Sequence, residues 1–133
     1  MNRSPGYSFR EQPWTDIRAF LGGMAAKSPD FRYLTDFVDS IVESGADEFL
    51  AGDTSMHDLL VALRPAGTKV GELIAIRAPS SLTHPPVGRV RIEHLSSTGR
   101  NDSIDRPPAD AVRLFWRLVF EKYGLPEGPQ EAG

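Results

Sequence analysis

Along residues 28 to 63 the spacing of apolar side chains changes once, from a repeat near 3.6 residues to a repeat of two. That change confines the chain to folds that mix helix with sheet. Ser28, Pro29 and Asp30 supply an N-cap residue, a proline for a first helical position and an early carboxylate, all suited to the exposed amides at a helix start. From there Phe31, Leu34, Phe37, Val38, Ile41 and Val42 project to one arc, and Arg32, Asp36, Asp39, Ser40 and Glu43 to the opposite one. Ser44 and Gly45 end the helix, and residues 46 to 50 form a short extra turn before Ala51 and Gly52.

Beyond Gly52, Leu59, Val61 and Leu63 alternate with Leu60 and Ala62, which predicts a strand. A turn over residues 65 to 68 leads to a second strand over 72 to 78, bounded by Pro79. A third covers 88 to 95, where Arg89, Arg91 and Glu93 alternate with Val90, Ile92 and His94 as in a sheet with one wet face. Short sequential strands favour an antiparallel meander, with residues 80 to 87 and 96 to 106 as loops. Before them, Thr15 is placed to cap a first helix carrying Ile17, Phe20, Leu21 and Met24. Gly22 and Gly23 weaken that helix by about 2 kcal/mol relative to alanine. The last helix opens at Pro107-Pro108 and closes at Gly124. Its apolar arc, including Trp116 and Phe120, is so wide that it requires cover on more than one side, from the rest of the chain or from a partner.

With 133 residues, 40% hydrophobic and 25% charged, the chain suits one compact domain and not a disordered segment. The expected architecture is α+β, a single domain over 13–124 in the order α-α-β-β-β-α, with a short antiparallel sheet packed against helices. Residues 1–12 read as a flexible N-terminal arm and 125–133 as a disordered tail. The first seven residues carry a charge but no apolar segment follows, and no apolar run reaches the roughly 18 residues a membrane span needs, so a cytoplasmic protein without membrane contact is expected.

The absence of cysteine excludes disulfides, thiol nucleophiles and thiolate metal sites. His57, His84 and His94 share no metal-ligand spacing, phosphate-loop signatures are missing, and no metal or cofactor is expected. Ser55, His57 and Asp58 are the residue types of a hydrolytic triad or of a small ligand pocket, yet neighbours on a strand point to opposite faces, and turn or cap roles account for them as well. Acidic neighbours dilute Arg89, Arg91, Arg113 and Arg117, which argues against a nucleic-acid surface. The net charge of -3 conceals a lopsided distribution: residues 30 to 58 hold eight carboxylates against the single cation Arg32. Like charges at helical spacing repel, so Asp36, Asp39 and Glu43, continued by Asp47 and Glu48, form either a solvated face or a docking surface for a basic partner.

The run Gly52-Asp53-Thr54-Ser55-Met56-His57-Asp58-Leu59-Leu60, placed after an amphipathic helix and before short strands, resembles a pattern in small bacterial proteins, some of which look like immunity proteins. The resemblance covers roughly residues 30 to 95 in pattern and carries no catalytic set. It implies a non-enzymatic protein that presents an acidic surface to a basic toxin, with Asp36, Asp39, Glu43, Asp47 and Glu48 as partner-binding residues. A small enzyme or ligand-binding domain near Ser55, His57 and Asp58 is one alternative. A homodimer in contact through Trp116 and Phe120 is the other.

Overall fold

A computed structural model describes residues 6–82 and 85–125 as an α+β domain. Its elements are β1 (Tyr7–Ser8), α1 (Trp14–Lys27), α2 (Arg32–Glu43), β2 (Leu50–Ser55), β3 (Asp58–Leu63), β4 (Lys69–Val70), β5 (Glu72–Ile76), β6 (Val90–Ser96), β7 (Asp102–Arg106) and α3 (Pro108–Tyr123). The five long strands form an antiparallel meander in the order β2-β3-β5-β6-β7, and β1 pairs with β4 in a separate ribbon. All three helices lie on one face of the meander.

That face is where the apolar periods meet. Ile17 and Leu21 of α1, Leu34, Phe37, Val38 and Ile41 of α2, and Phe115 and Val119 of α3 are buried with Leu59, Val61, Ile74, Ile76, Val90 and Ile92 of the sheet. Each fully buried side chain of this size contributes roughly 1.5–3 kcal/mol, which outweighs weak local propensity. This is why α1 runs unbroken through Gly22 and Gly23, although a Cβ at either would meet nothing. The rings of Phe37 and Phe115 meet edge to face at 5.5 Å and lock α2 to α3.

Two strands of the meander were not expected, nor was the short β1–β4 ribbon. Residues 46 to 50 read as a short turn and no strand was placed around Gly52, but only Ala46–Glu48 is a short helical turn, and β2 follows it into the sheet with Gly52 in its interior. The loop over 96 to 106 contains β7, whose one apolar residue, Ile104, is too little for a periodic signal. Helix starts also differ. Helix α1 begins at Trp14 behind Pro13, so Thr15 lies within it and is no cap, and Ser28 makes no capping side-chain bond to the Pro29–Phe31 turn.

The arm expected over 1–12 is docked where it is described. Phe9 is buried against Ala51, Leu60, Ala62, Leu73 and Ala75 on the sheet's far face, its amide donates to Thr68, and Gln12 bridges to Gly52. Residues 1–5 lie outside the described residues. At the other end Leu125 packs against the main core, and the rest of the expected tail, 126–133, lies outside them too. Among the described residues no helix is long and apolar enough to cross a membrane.

Candidate functional site

Tertiary structure divides the acidic segment into groups with different fates. Asp53 and Asp58 are withdrawn from the surface. Asp53 accepts hydrogen bonds from the Arg10 amide at 2.8 Å and from Gln12 Nε2 at 2.7 Å, and so pins the N-terminal segment to β2. Asp58, 6% exposed, accepts from Arg77 Nη1 at 2.8 Å, the Ala78 amide at 2.7 Å and Ser81 Oγ at 3.1 Å. Arg77 also donates to Glu93 at 2.6 Å, so one guanidinium ties β3, β5 and β6 together across the far face of the sheet.

The face of α2 keeps three more. Asp36, Asp39 and Glu43 line a shallow groove of about 490 Å³ between α2 and the start of α3, opposite Pro108, Ala109 and Val112. Asp39 is paired with Arg18 of α1 at 3.0 Å, an exposed bridge worth at most about 1 kcal/mol. Asp36 and Glu43 have no ion pair among the described residues. Partial burial, and then the neighbouring charge of Asp39, raise the Asp36 pKa above the ordinary carboxylate range, only partly opposed by Arg32. Asp36 also borders a second cleft of about 580 Å³, walled by Pro29, Pro79, Pro86 and Pro108 around Tyr33. The Tyr33 hydroxyl donates to the Arg77 carbonyl, and burial pushes its pKa well up, so it stays neutral.

Asp47 and Glu48 border neither groove. They stand at the far end of α2, where Arg64 Nε donates to the Asp47 carbonyl and the same guanidinium pairs with Glu11. The five carboxylates expected to act together are therefore three in a groove and two outside it.

Ser55, His57 and Asp58 do not converge. They belong to the hairpin turn between β2 and β3, and the Asp58 carboxylate is saturated on the far face, where it cannot orient an imidazole. His57 Nδ1 lies 2.9 Å from Ser80 Oγ, and its ring stacks on Phe20 at 5.9 Å and meets the edge of Phe31 at 5.5 Å. Between them Met56 holds a φ of 58° and is 84% exposed. A left-handed conformation costs a non-glycine residue about 1 kcal/mol or more. Met56→Gly is expected to stabilise the protein by about 1 kcal/mol in urea titration, because the side chain contributes little packing to offset the strain.

The expected subunit contact through Trp116 is not available. Its side chain is 5% exposed and its Nε1 donates to Ser40 Oγ at 2.7 Å, so the wide apolar arc of α3 is covered on that side by α2 of the same chain. Phe120 remains half-exposed. The arginine face of β6 is likewise engaged internally, since Arg91 makes paired hydrogen bonds to Asp105 at 2.8 and 2.9 Å. Sequence reasoning missed Arg77. Its two-residue phase with Leu73 and Ala75 placed it on the far face, but nothing local linked it to Asp58 and Glu93. Among the described residues, which do not include His84, no group of three or more His, Asp or Glu could hold a metal ion. No protein-family model, curated protein or solved structure matches this chain.

Proposed function

We propose that the chain is a non-enzymatic binding module of the immunity type, which inhibits a basic, toxin-like protein by docking the α2 groove against it. The observation that carries this reading is the alignment of Asp36, Asp39 and Glu43 in one groove, where Arg18 pairs with Asp39 and Arg32 only partly offsets Asp36. Carboxylates so arranged repel in the free protein, and a cationic partner relieves that repulsion. Their field also accelerates encounter with such a partner and rejects acidic competitors. The divergence of Ser55, His57 and Asp58 removes the support that an enzymatic reading had in the sequence.

The test is affinity capture from a lysate of the source cells on immobilised protein, followed by assay of the captured protein's activity with and without the chain. A strongly basic protein is expected, bound in a salt-sensitive manner and inhibited on binding. Asp36→Lys/Glu43→Lys is expected to weaken that binding by tenfold or more, equivalent to about 1.4 kcal/mol. Equal binding by the double variant, with the same salt dependence, overturns the reading. So does capture without inhibition.

A further inference from the structure

The outer edge of the meander is β7, which pairs with β6 on one side and with no strand on the other among the described residues. An open edge offers unpaired backbone amides and carbonyls, and its side chains determine what can add to it. The β7 sequence, Asp102-Ser103-Ile104-Asp105-Arg106, is complementary to itself. When two copies run antiparallel about Ile104, Asp102 of each stands opposite Arg106 of the other, and the two Ile104 side chains meet. A shift of two residues instead sets Asp105 against Asp105, so the charges select one register and disfavour the next.

The surroundings suit the same arrangement. Ile104 packs against the main core, so Asp102 and Arg106, each two residues away, share the helix side of the sheet with it. Arg106 is exposed and makes no carboxylate ion pair within 4 Å among the described residues, although its charge acts on neighbouring Asp105; its Nη1 donates to the Asp105 carbonyl. Asp102 is held at the edge by Lys122 of α3 at 2.7 Å, with the exposed Arg100 more distant at 3.7 Å, and keeps about a third of its side chain exposed, 36%. Leu118 and Leu114 lie one and two turns before Lys122 on that flank of α3, and both are half-buried.

We propose that the protein self-associates through β7 into a two-fold dimer, its two sheets joined into one and flanked by an apolar strip of Ile104, Leu114 and Leu118. A second copy satisfies the edge charges and the apolar strip at once, because both are repeated by the two-fold axis. Helix α2 covers the opposite flank of α3, where Trp116 meets Ser40, so each dimer carries two free acidic grooves. The inference is independent of what those grooves bind.

Sedimentation equilibrium from micromolar to millimolar concentration tests the proposal, together with hydrogen exchange of the amides of residues 102 to 106 over the same range. The wild type is expected to dimerise, and those amides to gain protection with concentration. Asp102→Lys and Arg106→Asp, each checked for an intact fold by circular dichroism, are each expected to weaken self-association at least about tenfold, since two symmetry-related pairs turn repulsive. An equimolar mixture of the two variants restores both attractive pairs and is expected to dimerise again. A wild type that stays monomeric with unchanging β7 protection overturns the proposal. Variants that dimerise like the wild type, or a mixture that does not recover, also overturn it.

Discussion

Arg77→Met is expected to lower the free energy of unfolding by about 3–5 kcal/mol, measured as a fall in the urea midpoint at neutral pH. The guanidinium lies between Asp58 and Glu93, with its side chain 18% exposed and Asp58 almost fully enclosed. Methionine fills much of the same volume but leaves two carboxylates, on the strands flanking β5, without the cation that separates them. The loss is therefore electrostatic more than steric. Arg77→Met/Asp58→Asn/Glu93→Gln is expected to recover most of it, because asparagine still accepts from the Ala78 amide while both charges are gone. A single variant that loses less than about 1 kcal/mol, or a triple variant no better than the single, would show that the network does not hold the strands as described.

Gly52→Ala is expected to destabilise the protein by about 3 kcal/mol, at the upper end of ordinary overpacking. A Cβ built on Gly52 falls 2.6 Å from Trp14 Cη2, 2.7 Å from Ile17 Cδ1 and 2.8 Å from Trp14 Cζ2, all well inside van der Waals contact. The indole cannot swing away cheaply, because its Nε1 donates to the Leu50 carbonyl at 3.0 Å on the same strand. The glycine is there to let α1 lie flat on β2. Ile17→Val removes one of the two obstructions and is expected to return part of the loss when combined with Gly52→Ala. Additive effects in the four-variant cycle would mean that the two sites do not touch.

Gly52 and Asp53 also show why β2 was hard to read. Both are residues of turns, and beside Ala46–Glu48 they suggested a connection rather than a strand, although every residue from Leu50 to Asp53 is buried. Helix α2 was legible for the opposite reason. Its apolar and charged residues separate cleanly at 3.6 residues per turn, so the groove-lining trio Asp36, Asp39 and Glu43 could be named from spacing alone. Asp47 and Glu48 follow them in the chain but leave the helix axis at Gly45, whose φ of 83° ends the helix and turns the backbone. Charge counting along the chain could not anticipate that change of direction.

Local order along this chain follows from periods and punctuation that neighbouring residues carry by themselves: a two-faced helix, three alternating strands, and a final helix between a proline and a glycine. Partners distant in sequence are decided by strand register instead. Asp58 meets Arg77, Arg91 meets Asp105, and Arg18 reaches across to Asp39, contacts separated by 19, 14 and 21 residues that exist only once the layers have packed. Hydrophobic burial sets that packing, and a carboxylate's fate then depends on which face its strand or helix presents. Acids that look alike in sequence thus part ways: Asp53 and Asp58 become internal ties, while Asp36, Asp39 and Glu43 line an open groove.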